Sequence, residues 1–330
     1  MLHQGLIGYG AGGAAAAAYT IDNSCVFDGA ADLLTFTAGT PTDNNTWTFS
    51  CWLKISLTEG DNILNLLDST SSNSVQHYVR IQTGKLRSIQ YDSGYEMRLQ
   101  SSSVYRDPSA WYHVVFVMDT SNGVSGDRTR MYINGVELTS FVQESQPSLN
   151  ETSFINTASR GMAIGRNAYA SGSEIGWMNG YLAEVIFIDG LALAASSFGE
   201  TDEVSGNWIP KDPSTLTFGN NGCWLDFEDS SALGNDVSGN DNDWTTGGLG
   251  SSNQTTDSPT DSGTTIGNFC TWNPLAAEAL SGTNPPSFSE GNCGHQKRGE
   301  FYVQNLQLYL FHLQDKLPEV LLRDCLKCTD

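Results

Sequence analysis

Positive charge is what this chain has least of. Its 330 residues carry 16 Lys and Arg against 37 Asp and Glu, a formal net charge of -21. A nucleic-acid groove needs a clustered basic patch to neutralise phosphates, and cations this scattered exclude one. An acidic balance of this kind serves solubility first and cation binding second. Charged residues of both signs make up only 16% of the chain while Gly reaches 34, the composition of a turn-rich β protein rather than a helical one. Long apolar runs are missing as well. No stretch is long enough to cross a bilayer as a helix, so membrane insertion is not expected. The Ala run at residues 14–18 has no Lys or Arg before it, which is not how a secretory signal opens.

Cysteine is sparse and its count is odd: seven cannot all pair within one chain. Cys51 and Cys223 lie inside apolar, strand-like runs and read as small buried hydrophobes. Cys325 and Cys328 form a CxxC, but one such pair supplies half of a four-ligand zinc site, and no βαβ pattern surrounds it. The five histidines are spread along the chain. His113 sits inside an apolar run and reads as a core histidine with its hydrogen bonds met. The chain has no nucleophile-elbow motif to promote a Ser-His-Asp constellation.

What is present is strand signal. Residues Arg106 to Phe141 organise the rest. Trp111 to Met118 is almost continuously apolar, with β-branched and aromatic residues and no helical period, which suits a strand buried on both faces. A turn-rich loop follows, then a hairpin with Asn134-Gly135 at its tip, residues that accept the positive φ angles of a type I′ turn. Trp111 and Tyr132 are expected to pack the interior. Upstream, Trp47, Phe49, Cys51, Leu53 and Ile55 alternate with Thr48, Ser50, Trp52 and Lys54, a half-buried antiparallel strand. Further short strands are expected at 62–67, 77–82, 85–91, 95–99, 162–165, 181–189 and 223–227, and a short surface helix at 191–198. Strands of this length separated by Ser, Gly and Asp read as a sandwich or barrel.

The line Trp-Tyr-His-Val-Val at 111–115, a loop, then Met-Tyr-Ile-Asn-Gly-Val at 131–136, resembles the laminin-G-like, concanavalin A-like jelly-roll family. Tyr181 to Asp189 resembles that family's closing strand. The resemblance implies an all-β fold of two antiparallel sheets in a jelly-roll sandwich. The passage FGETDEVSGNWIPK, from Phe198, resembles structural proteins of marine bacteriophages that carry the same jelly roll. The organisation expected is a Gly/Ala-rich arm at 1–19, the jelly roll at 20–246, a Gly/Ser/Thr linker at 247–267, and a C-terminal segment at 268–330. In that last segment leucines and cations rise abruptly after Cys293, with Leu306, Leu310 and Leu313 spaced like one helix face before Pro318. It reads either as a docked helix or as a truncated or frame-shifted second domain.

Several expectations about function follow from the resemblance. Glycoside hydrolases on this fold place paired carboxylates on one strand as Glu-x-Asp-x-x-Glu. The nearest string here holds Glu184 and Asp189, which face opposite sides of a regular strand, so Glu184 is expected to be structural, at a sheet edge. Sugar binding asks for aromatic faces beside polar groups, and Tyr91, Tyr95, Tyr169 and Trp177 lie in or next to polar loops. No organic cofactor is expected. Lectin folds often hold calcium through loop oxygens, and Asp236, Asn240, Asp241 and Asp243 offer them without matching an EF-hand spacing. The expectation is a non-catalytic virion protein of a phage, a homo-oligomeric fibre, spike or capsid appendage that contacts other virion proteins and host-surface glycans. A secreted glycoside hydrolase is the enzyme alternative. A cellular adhesion module is the third, for which the sequons at Asn44, Asn150 and Asn253 speak.

Overall fold

The structure, a computed structural model, describes residues 19–56, 63–169, 176–203, 205–260 and 267–268, together with the backbone of two short strands further on. The strands run in chain order as β1 Ser24–Asp28, β2 Leu33–Thr37, β3 Thr46–Ile55, β4 Ile63–Asp68, β5 Val75–Gln82, β6 Lys85–Asp92, β7 Tyr95–Ser101 and β8 Trp111–Asp119. The series continues with β9 Thr129–Ile133, β10 Val136–Glu137, β11 Phe141–Ser145, β12 Gly161–Ile164, β13 Asn179–Asp189, β14 Gly199–Thr201 and β15 Trp208–Pro210. It ends with β16 Cys223–Leu225, β17 Thr245–Gly247, β18 Gln254–Thr255, and the paired β19 Ser287–Ser289 and β20 Gly294–Gln296.

Two antiparallel sheets form a jelly-roll sandwich. The first has the order β10-β9-β8-β3-β13-β1-β18, with β16 pairing β13; the second has the order β11-β7-β6-β5-β4-β12-β2-β17. Alternation along each strand decides what the two sheets turn toward each other. Trp47, Phe49, Cys51 and Leu53 of β3, Val114, Phe116 and Met118 of β8, and Leu182, Val185 and Phe187 of β13 share one core with Leu64, Val79, Ile81, Leu86, Met97 and Leu99 of the second sheet. Trp47 lies at its centre, with its ring 5.1 Å from Phe116 and 5.8 Å from Phe187. Its indole N–H, which needs a partner when buried, donates to Ser153 Oγ at 2.9 Å.

The Asn134-Gly135 tip forms as expected: both residues have positive φ, 48° and 78°, and Val136 pairs with Ile133. Cys25, Cys51 and Cys223 are buried free thiols. His113 is buried with both ring nitrogens bonded.

Four expectations need correction. β3 is not half-buried; every residue from Thr46 to Ile55 is buried. The reason is a second layer outside the first sheet, where Val115, Val117, Tyr132, Ile186 and Ile188 pack under Phe198 and Phe218. For the same reason Trp111 and Tyr132 belong to outer clusters rather than to the interior; Trp111 groups with Ile21, Trp52, Tyr181 and Ala183. The 191–198 segment is extended apart from a single 3-10 turn at Ala195–Ser197. Finally, the stretch from 247 is no free linker in its described part. β18 pairs with β1, and Asp257 is buried against Lys54 at 2.7 Å. The Gly/Ala arm, apart from Tyr19, and the Leu306–Leu313 segment lie outside the described residues.

Candidate functional site

Among the described residues no second apolar cluster lies outside the second sheet; Gln76, Arg87, Tyr91, Tyr95 and Arg98 on that side reach solvent, while Asn65, Asp68, Tyr78, Arg80 and Ile89 are buried. The register of this sheet sets polar and aromatic side chains in cross-strand rows. Asp68, Tyr78, Ile89 and Arg98 are successive partners across β4, β5, β6 and β7. Asn65, Arg80, Arg87 and Gln100 form the neighbouring row. Gln76, Tyr91 and Tyr95 form a third near the β6–β7 turn.

Contacts within the rows pre-order them. The Arg80 guanidinium lies 3.7 Å from the Tyr78 ring centroid, and Arg87 lies 5.9 Å from it. Arg80 Nη2 and Arg87 Nη1 both donate to Gln82 Oε1 at 2.8 Å. Arg98 stacks 4.4 Å over Tyr95, whose ring meets Tyr91 edge-on at 5.2 Å. Such stacking keeps the planar guanidinium fork pre-organised, which lowers the cost of ordering it against a ligand. Burial pushes the Asp68 carboxyl up to about 6, against the backbone N–H groups of Thr70 and Ala168 that donate to its Oδ1.

Of the four aromatic residues singled out in the sequence, the structure brings Tyr91 and Tyr95 together, with Tyr95 half exposed at 50%. Tyr169 and Trp177 are placed apart from them, at the β4 margin. Ala168 N–H donates to Asp68, Asn65 Nδ2 donates to the Gly176 carbonyl, and Arg166 lies 5.3 Å from the Trp177 ring. Asn65, Asp68, Tyr78, Arg80, Arg87 and Arg98 were not singled out. The alternation of β5 carries the signal: with His77, Val79 and Ile81 turned inward, Tyr78 and Arg80 must point out.

The oxygens proposed for calcium lie elsewhere and serve a turn. Asp236 Oδ1 accepts from the backbone N–H of Trp224 and Ser238, and its Oδ2 from Asn242 N–H and the Ser238 hydroxyl. Asp243 Oδ1 accepts from Asp236 N–H, and Asn240 Nδ2 donates to the carbonyls of Gly219 and Gly222. Asp241 is exposed at a positive φ of 57°. Among the described residues no cluster of three or more His, Cys, Asp or Glu is arranged to hold a metal ion.

A second candidate lies outside the first sheet. Glu184 is not at a sheet edge; it sits in central strand β13, at the bulge where the neighbour changes from β1 to β16. Its φ is 47°, and its buried Oε1 accepts from the Tyr19 hydroxyl at 2.9 Å. Burial pushes its carboxyl up to about 8. With Ser50, Trp52, His113 and Lys211 it lines a pocket with room for about one water. Asp189 points the other way and accepts from Thr42, Asp43, Asn156 and Asn221, so no carboxylate pair forms on this strand. His113 Nε2 does lie 2.9 Å from Ser50 Oγ. However, Trp208 Nε1–H donates to His113 Nδ1 at 3.0 Å, so the neutral ring carries its proton on Nε2 and donates to the serine. Burial holds the ring neutral, with its pKa down to about 3. A general base needs the opposite tautomer.

Two large antiparallel sheets packed face to face make this a jelly-roll β-sandwich. The chain belongs to the concanavalin A-like lectin/glucanases superfamily, whose laminin-G-type model matches residues 28–195. Among solved structures, a candidate carbohydrate-binding protein from Bacteroides ovatus is similar at 15% identity and a TM-score of 0.49, over 69% of this chain and 58% of that one. The heptameric pentraxin of Limulus polyphemus is similar at 17% identity and 0.40, over 61% of this chain and 100% of that one. Mouse laminin alpha1 domains LG4-5 are similar at 11% and 0.36, over 67% and 52%. No curated protein matches this chain.

Proposed function

We propose that the outer face of the second sheet binds glycans without cleaving them. The observation that carries the reading is the stacked Arg98–Tyr95–Tyr91 group, with half-buried Arg87 beside it over the buried Tyr78 ring. Pyranose rings offer apolar C–H faces to tyrosine and hydroxyl pairs to guanidinium forks, and this face presents both along one platform. The lack of a facing carboxylate pair on β13, and the tautomer of His113, support binding over hydrolysis.

The setting proposed for this activity is a phage particle, with the protein as a fibre, spike or capsid appendage among other virion proteins. Many copies on one particle turn a weak site into firm adhesion. Glycan arrays with the protein displayed multivalently test the binding. Signal lost in both Tyr95→Ala and Arg98→Ala is expected, and signal unchanged in both moves the site off this face. Antibody labelling of purified particles tests the setting; label confined to host-cell debris rejects it.

A further inference from the structure

Outside the first sheet, three side chains converge that glycan binding leaves unused. Lys54 is fully buried, and its Nζ donates to Asp257 Oδ2 at 2.7 Å and to Asn268 Oδ1 at 2.9 Å. Asp257 is buried too, and its other oxygen accepts from Trp111 Nε1–H at 3.2 Å. Asn268 Nδ2 donates to the Ser109 carbonyl at 2.8 Å, which turns the amide oxygen toward the lysine. Ile21, Trp52, Trp111 and Tyr181 form the apolar cluster on this side of the sheet, with the Tyr181 ring 5.6 Å from Nζ. An amine, a carboxyl and a carboxamide therefore meet against aromatic walls.

We propose that Lys54 and Asn268 join in an intramolecular isopeptide bond, with Asp257 carrying the protons. A carbonyl bond is about 1.2 Å long, so Nζ lies no more than about 4 Å from Asn268 Cγ, close to a near-attack distance. The amine must be neutral to attack. Asp257 takes a proton along the 2.7 Å hydrogen bond, and among apolar walls the neutral pair avoids the desolvation cost of two buried charges. The Nζ lone pair then forms the C–N bond to Cγ while the carbonyl π pair moves onto Oδ1. Asp257 gives its proton to Nδ2 and accepts the surplus proton from Nζ. The carbonyl re-forms, the Cγ–Nδ2 bond breaks, and its pair leaves on nitrogen as ammonia, which carries the last proton from Asp257 into solvent as ammonium. Nothing is oxidised or reduced, and no water is consumed. The new amide N–H faces Asp257 Oδ2, so the product leaves the carboxylate partnered.

The partners are 214 residues apart, so the bond would close almost the whole sandwich into one covalent loop. Intact mass spectrometry of the full chain, denatured and reduced, should read one ammonia below the sequence mass. A tryptic digest should contain one branched species joining the Lys54 and Asn268 peptides, with no cleavage after Lys54. Asn268→Ala alters an exposed residue and should fold with its unreacted mass. Asp257→Asn keeps the side-chain shape but removes the proton carrier, and should also fold unlinked, as circular dichroism checks. Full sequence mass in the folded wild type overturns the proposal. So does a missing ammonia without the branched peptide, as a succinimide at Asn134-Gly135 would give. Loss of one water instead would make Asp257 the acceptor and overturn the assignment to Asn268.

Discussion

The two sheets present outer faces of opposite character. The first is roofed: its outward residues Trp52, Trp111, Val115, Val117, Tyr181 and Ile186 are buried under the segments around Ile21, Phe198, Trp208 and Phe218. The second is open only toward the β6–β7 turn, where Tyr91, Tyr95 and Arg98 stack on one another, while Tyr78 and Arg80 further along are buried. The comparison teaches where a jelly roll of this size keeps freedom to bind. Backbone pairing and interior packing make similar demands on both sheets. Only the face released from packing can hold side chains chosen for a ligand.

The sharpest way to break the comparison is to damage interior and roof separately. Trp47→Ala removes a fully buried ring and its bond to Ser153, and should cost about 3–5 kcal/mol in denaturant melts. Trp111→Ala empties a roofed position and takes a donor from Asp257; about 2–3 kcal/mol is expected. Equal costs would mean that the roof is as integral as the interior, and a negligible cost for Trp111 would mean that it is not closed in solution.

Next in size is a pH effect confined to the roofed side. Glu184 has a carboxyl whose ordinary value of 4.5 is pushed up to about 8 on folding by burial. Between those values the folded state holds a proton that the unfolded state has released. Stability therefore falls as pH rises from about 4.5 to about 8, and levels off above. Glu184→Gln stays neutral throughout and keeps an acceptor for Tyr19. It should erase that fall, worth a few kcal/mol at pH 9, in melts taken across the range. A parallel decline in wild type and variant would show that Glu184 is ionised in the folded state. The same variant, assayed for reducing-sugar release from polysaccharides, checks the enzyme alternative, for which activity present in wild type and absent in Glu184→Gln would speak.

On the open face the expected signs reverse. Tyr95→Ala should leave stability within about 0.5 kcal/mol of wild type, while weakening any glycan signal about tenfold. A destabilised but fully binding Tyr95→Ala would assign this face a structural duty instead. The smallest effect concerns calcium. With all four acceptor directions of Asp236 already taken by N–H and O–H donors, millimolar calcium should leave the melting temperature where EDTA leaves it. A rise of several degrees would reveal a site that these hydrogen bonds yield to.

Strand positions were legible in the sequence because period two and turn chemistry are local. The β3 and β8 patterns and the Asn134-Gly135 turn announce themselves without any neighbour. The roof was not legible. Thr48 and Lys54 look like solvent-facing residues, and only contacts more than 140 residues away, to Leu191 and Asp257, reveal what covers them. The docking of residues 254–257 was hidden in the same way, since Gly, Ser and Thr mark loops whether or not a loop is docked. On the open face, Tyr91 and Tyr95 could be found as loop-flanking aromatics. Arg80 and Arg87 could not, because nothing in a single strand shows that β5 and β6 set both guanidiniums beside the Tyr78 ring. Glu184 was misplaced because a bulge leaves no mark in composition.

The way the chain enters and leaves the sandwich has a mechanical consequence. Ile21 N–H donates to Thr260 Oγ1, the Ser258 hydroxyl donates to the Ile21 carbonyl, and Ser24 lies opposite Thr255 in the β1–β18 pair. Entry and exit thus share one corner, on antiparallel strands. Tension applied through residues 19 and 268 meets that pair end-on and peels its hydrogen bonds one after another, the weakest geometry a β pair can offer to force. Resistance must come from the Lys54, Trp111 and Asp257 knot just beyond. The Tyr91–Tyr95–Arg98 face, on the opposite sheet, lies outside the line of pull, so tension on the chain would strain the knot before it disturbed that face.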